Sequence, residues 1–260
     1  MQLGPWGEVG RTRRLKYFAD QGLATVTRAD GTSFQLYRGS GSVPRRLRKQ
    51  GWVHVGDPDS SRGHVFDAYQ GASGATSKMF EVTAPDGRRY DYVHRLEGDE
   101  RMNNSYVAVS PDGQWMVSGE WDVMSRLLVF ATPMLNPSAP ASGDELAWAA
   151  LINLDRPVRN MQGATFLDAT RLLCSTDDPG TDLWPTARQL LQVDLAAPLA
   201  GASIDGRVSS LGPLPTHSIC PGEPEVEGLD FDVATGDLRV VVVPPGVCGF
   251  LVEVHRFRLL

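Results

Sequence analysis

Gln21-Gly22-Leu23-Ala24-Thr25-Val26, Asn104-Ser105-Tyr106-Val107-Ala108-Val109, Gln162-Gly163-Ala164-Thr165-Phe166-Leu167 and Glu227-Gly228-Leu229-Asp230-Phe231-Asp232 share one pattern. A polar residue is followed by a small one and then by alternating apolar positions. Gln50-Gly51-Trp52-Val53-His54-Val55 fits it too, giving five copies whose leading residues stand 29, 54, 58 and 65 residues apart. The last three intervals suit a four-stranded antiparallel unit with its loops, and repetition of such units is the mark of a propeller. Further β-type runs follow each leader: His64 to Tyr69, Met79 to Thr83 and Tyr90 to Arg95 in one unit, Arg171 to Ser175, Gln189 to Val193 and Val208 to Leu211 in another. Turn signals such as Pro85-Asp86-Gly87, Pro111-Asp112-Gly113 and Thr235-Gly236-Asp237 separate the runs. The last unit has three strands, so residues 11 to 18 are expected to supply its fourth and close the ring. The expected fold is all-β, a five-bladed β-propeller forming one domain over residues 1–260. The first interval holds two or three strands at most, which leaves four blades plus an N-terminal extension as the alternative.

Composition narrows the partners. The net charge is −6, so no global positive field exists to hold nucleic acid or an anionic membrane. The basic run Arg45-Arg46-Leu47-Arg48-Lys49 reads as a solvated loop. No apolar run approaches the ~20 residues that span a bilayer. Cys174 lies in an apolar run and reads as a buried thiol. Cys220 and Cys248 fall in loops expected on one face, where a disulfide is feasible. Such a bridge would imply an oxidising, secreted or extracytoplasmic setting, with the signal absent from this chain. A monomer is expected.

If the repeats are innermost strands, Gln21, Gln50, Asn104, Gln162 and Glu227 ring the mouth of the axial channel. Glycine after four of these leaders lets backbone approach where a Cβ would crowd the centre. The amides could orient a substrate, or simply bond neighbouring blades. Loops after the second strands reach the same face and carry Gln70, then Glu120-Trp121-Asp122, then Asp177-Asp178 with Asp182. Grouped carboxylates raise one another's pKa and can divide into acid and base. They also suit a hard cation such as calcium. Glu227, the ionisable member of the ring, is the first candidate catalytic residue, with Asp122, Asp177 and Glu120 as partners. Gln21, Gln50, Asn104, Gln162, Trp121, Asp178 and His217 are candidates for substrate contact. Trp52 and Trp184 could add walls, or pack within blades.

Phe18-Ala19-Asp20-Gln21-Gly22-Leu23 resembles the opening of the plant- and bacterial-type glutaminyl cyclases. That resemblance implies a five-bladed propeller with its active site in the axial channel and Gln21 as part of it. Glu227-Gly228-Leu229 looks like the leading strands of calcium-dependent lactonase-type propellers, which would make a divalent cation such as calcium a cofactor.

No phosphate loop, Gly-x-Ser-x-Gly elbow or zinc-spaced histidine pair is present. The expected function is that of an enzyme binding one small polar molecule at the channel mouth. Carboxylate acid–base chemistry (cyclisation, elimination or ester or lactone hydrolysis) fits that site. The alternatives are a secreted, non-catalytic module binding carbohydrate or protein, and a structural platform.

Overall fold

A computed structural model of the chain describes residues 2–103 and 105–260. Asn104, expected in the polar ring, lies outside the described residues. The chain begins with a hairpin of β1 (Gln2–Leu3) and β2 (Trp6–Leu15), and a one-turn helix, α1 (Lys16–Ala19), leads to β3 (Gly22–Thr27) and β4 (Ser33–Arg38). Helix α2 (Arg45–Lys49) precedes β5 (Trp52–Val55), β6 (Asp59–Ser61), β7 (His64–Gly71), β8 (Ser77–Thr83) and β9 (Arg89–Arg95). Next come β10 (Ala108–Val109), β11 (Trp115–Ser118), β12 (Val123–Ala131) and β13 (Ala150–Arg159). They are followed by β14 (Met161–Asp168), β15 (Arg171–Thr176), β16 (Gln189–Leu195) and β17 (Ile204–Pro213). Strands β18 (Glu225–Asp232), β19 (Asp237–Val243) and β20 (Leu251–Leu259) end the chain, with a 3₁₀ turn, Gly246–Phe250, between the last two.

The fold is all-β and propeller-like. Consecutive strands form antiparallel meanders, because the connections are short turns; Gly87 and Gly236, at φ +82° and +69°, close β8–β9 and β18–β19. Strands β10 to β13 form one meander and β14 to β17 another, and a parallel pairing of β13 with β17 joins them into an eight-stranded sheet. Strands β5 and β6 both pair with β7, so together they form the inner edge of their meander. The inner strands neighbour one another in the cyclic order β3, β6, β10, β14, β18 and back to β3.

Apolar side chains pack between adjacent sheets. Phe66, Phe80, Val107 and Phe130 fill one interface; Tyr106, Leu127, Leu172 and Leu191 fill the next. Leu173, Leu190, Val226 and Leu229 fill another. Ala19, Leu23, Val241 and Val252 join the last sheet to β3. Leu47, on the buried side of α2, packs with Val55, Tyr69 and Met79. The run Arg45–Lys49 is thus a helix rather than the expected loop, since its one apolar residue has a core to enter while its charges stay outside.

The N-terminal strand closes the last sheet as expected, and over a longer span. Strand β2 pairs antiparallel with β20 from Trp6↔Leu259 to Leu15↔Leu251. Cys220 and Cys248 are bridged, with Cα atoms 6.0 Å apart, and Cys174 is a buried free thiol. Among the described residues no helix is long and apolar enough to cross a membrane.

One carboxyl sits where the inner strands converge. Asp57 is fully buried; its Oδ1 accepts the Leu23 N–H and its Oδ2 the Leu229 N–H, each at 3.0 Å. Its backbone bonds the neighbouring inner strand through Ser105 and Val107. A Cβ on Gly22 would lie 2.0 Å from Asp57 Oδ1, one on Gly228 2.1 Å from the same atom, and one on Gly163 2.6 Å from Oδ2. The glycines of three repeats therefore make room for one central side chain, which ties strands from opposite ends of the chain.

Candidate functional site

A cavity of about 320 Å³ lies among the ends of the inner strands. Gln162 and Glu227 line it from β14 and β18, Gln21 from the residue before β3, Gln70 from the end of β7, and Trp121 and Asp177 from the loops after β11 and β15. His54, Asn103, Ser105 and Glu225 complete the lining. The predicted candidates Gln21, Gln162, Glu227, Asp177 and Trp121 are thus brought together at one place.

Local structure fixes Glu227. A bulge between Val226 and Leu229 interrupts the pairing of β18 with β19 and aims this segment inward. The Ser175 hydroxyl donates to the Glu227 carbonyl at 2.6 Å, and the Val226 N–H donates to Asp177 at 3.0 Å. The Glu227 carboxyl itself has no hydrogen bond or ion pair among the described residues and is buried. Burial, then the neighbouring carboxylates Glu225, Asp177 and Asp20, push its pKa well above the usual range, with Lys16 opposing. Asp177 is raised as well, mainly by burial, but the Val226 N–H and the Arg188 guanidinium at 3.0 Å favour its ionised form. Asp177 thus holds two donors where Glu227 holds none. Burial depresses the pKa of His54, so its imidazole is held neutral.

The remaining acidic candidates are engaged elsewhere, because arginines on the neighbouring strands reach them first. Glu120 is buried against Arg126 at 2.6 Å and accepts the Arg101 N–H. Arg159 collects Asp178 at 3.0 Å, Asp182 at 2.7 Å and Asp122 at 3.6 Å. None of these lines the cavity. Among the described residues no three or more His, Cys, Asp or Glu side chains converge as metal ligands.

Gln50 is also displaced from its expected position. It is the exposed C-cap of α2, and Gly51 at φ +95° turns the chain into β5. The register Asp57↔Tyr106 instead places Gly56 beside Ser105, so Gly56 is the true counterpart of the repeat glycines. His217 lines a separate cavity with Glu8, Arg11 and His255. Trp52 packs against the core beside α2, and Trp184 is buried with the Arg156 guanidinium 4.3 Å from its ring centre.

Sequence reasoning missed two parts of the site. Asn103 is held by a buried network: its carbonyl accepts Lys78 Nζ at 3.3 Å, and Lys78 pairs with Glu100 at 2.9 Å, which bonds His94 at 2.7 Å. The second is an apolar groove of about 630 Å³ beside the mouth, between α1 and the 3₁₀ turn, where Tyr17, Phe18, Val247 and Phe250 stand exposed. Glu225 lines both the groove and the mouth. The adjacent Cys220–Cys248 bridge ties the turn to the loop before β18.

No family model and no curated protein matches the chain. Among solved structures it is similar to the native arabinanase Arb43A of Bacillus subtilis, at 12% identity and a TM-score of 0.45 over 99% of this chain and 94% of that one.

Proposed function

We propose that the protein binds one small polar molecule at the axial mouth and acts on it by carboxyl acid–base chemistry. Glu227 is the proton donor, Asp177 is the ionised partner that receives or stabilises charge, and Gln21 and Gln162 orient the substrate beneath Trp121. The observation that carries this reading is a buried, unpaired carboxyl facing a cavity in a protein whose other acidic candidates are matched by arginines. A buried acid without a partner is costly to keep for stability alone. Cyclisation, elimination and ester or lactone hydrolysis all use such a pair without a covalent nucleophile. The blade count belongs to the same reading: the cycle of inner strands supports five blades, the first reduced to β3 and β4. The disulfide supports an oxidising, extracytoplasmic setting.

The exposed aromatic groove favours a second reading, a non-catalytic module that binds carbohydrate or a protein partner. One experiment separates the two. Wild type and the Glu227→Gln variant are screened for binding by thermal shift and for turnover against small lactones, esters, peptides with N-terminal Gln and short oligosaccharides. Acid catalysis predicts a loss of turnover of about 10²–10⁴-fold with binding nearly retained. Wild-type turnover also declines as pH rises through the elevated pKa of Glu227. The binding reading predicts no turnover, with affinity lost in Phe250→Ala and unchanged in Glu227→Gln.

A further inference from the structure

Charge is spread unevenly along this acidic chain. Residues 1–50 hold ten Lys or Arg against three Asp or Glu, whereas residues 51–260 hold 15 against 28. The basic segment contains β3 and β4, a sheet of only two strands. The other sheets protect their outer edges. Strands β13 and β17 pair with each other. Strand β9 is covered by the segment in which Gly143 and Leu146 donate to the Asp91 and Val93 carbonyls. Strand β2 has β1 beside its start, a bulge between Glu8 and Gly10, and Arg11 and Arg13 beyond, devices that blunt an edge.

Strand β4 pairs with β3 alone, in unbroken register from Gly22↔Arg38 to Thr27↔Ser33. The bond from the Arg28 N–H to the Thr32 carbonyl sets the phase of this ladder. Phe34, Leu36 and Arg38 therefore bond β3, and the backbone groups of Ser33, Gln35 and Tyr37 point outward, where the Tyr37 carbonyl accepts from the Arg38 guanidinium at 3.2 Å. Three arginines follow this free edge. The Arg28 guanidinium lies 4.5 Å from the Phe34 ring centre and that of Arg14 5.3 Å from the Tyr37 ring centre, while Arg48 donates to the Ser40 carbonyl at 3.1 Å. None of the three makes a close salt bridge among the described residues, although Arg28 lies near enough to the Asp30 carboxyl to help lower its pKa. Their neighbours do: Arg11 and Arg13 pair with Glu253, Arg38 with Asp67, and Arg46 with Glu81 and Asp91.

The geometry points to β4 as a docking edge for an extended, acidic polypeptide segment of a partner protein. Such a segment adds a third strand to the reduced sheet through the backbone of Ser33, Gln35 and Tyr37, and sets carboxylates against Arg14, Arg28 and Arg48. Edge-to-edge pairing with a second copy is disfavoured, because it brings like charges together.

Fluorescence anisotropy with a capped, labelled peptide alternating Glu and Val tests this. The expected result is saturable binding that weakens with salt. Affinity should fall at least tenfold for Gln35→Pro, which removes one edge N–H where proline is tolerated. It should fall as far for the double variant Arg14→Glu/Arg28→Glu, with thermal unfolding of both variants close to wild type. Three controls accompany the peptide: its Lys analogue, a version N-methylated at alternate residues, and single-stranded DNA of equal charge. Equal binding of any of them overturns the proposal, as does failure of the acidic peptide to bind at millimolar concentration. Undiminished binding to Gln35→Pro places the peptide elsewhere and also overturns it.

Discussion

Asp57→Ala is expected to lower the melting temperature by about 10 °C, corresponding to a loss of about 4 kcal/mol in a domain of this size. The substitution leaves the Leu23 and Leu229 N–H groups without acceptors at the axis, and an orphaned buried donor costs about 1–3 kcal/mol. It also empties the space that Gly22, Gly163 and Gly228 frame. Asp57→Asn retains one oxygen acceptor but turns an amide NH₂ toward the second N–H, so an intermediate loss of about 2 kcal/mol is expected. Thermal unfolding of the three proteins checks the order Asp, Asn, Ala. Equal melting temperatures would mean that Asp57 does not pin the ring.

The second large effect is on pH. Burial raises the pKa of Asp59 to about 7, although its carboxyl accepts the Val109 and Ser60 N–H groups. Burial likewise raises Asp57, Asp230 and Glu227. A carboxyl raised on folding stabilises the native state fully below its unfolded pKa, and that contribution is lost as pH climbs through the folded value. For Asp59 the loss between about pH 4 and 7 is no more than about 4 kcal/mol, at 1.36 kcal/mol per unit. Glu100 acts in the opposite window. His94 and Lys78 outweigh its burial and hold it down at about 2, so its contribution is present above the ordinary carboxylate range and lost as pH falls toward 2. Stability should therefore peak in acidic solution, near pH 4, and decline as pH rises toward 7. Urea unfolding across that range checks it. Asp59→Asn should flatten the alkaline side, and a wild-type profile that rises or stays level from about pH 4 to 7 would contradict the assignment.

Much of the fold was legible in the sequence because hydrophobic alternation and turn chemistry are local. The runs expected at His64, Arg171, Gln189 and Val208 all lie in strands, and the N-terminal closing strand follows from a last unit one strand short. Gln50-Gly51 deceived for the same local reason: a helix C-cap followed by a turn glycine has the composition of a repeat leader. Gly56-Asp57-Pro58 reads as a turn, while the role of Asp57 depends on N–H groups 34 residues before it and 172 residues after it, which no local pattern encodes. The acidic loops could be placed on the correct face, but their charge could not be judged without knowing where Arg126, Arg159 and Arg188 point. The aromatic groove is assembled from α1 and the 3₁₀ turn, more than 200 residues apart in the chain.

The proposed chemistry requires Glu227 to be a neutral acid in the cavity it lines. A carboxyl ¹³C NMR titration of protein labelled at glutamate, with Glu227→Gln to identify the resonance, measures this directly. The prediction is one glutamate signal that titrates well above the ordinary range and is missing from the variant. If every glutamate signal, including that of Glu227, titrates in the ordinary range near pH 4, Glu227 is ionised at neutral pH and cannot be the proton donor proposed here.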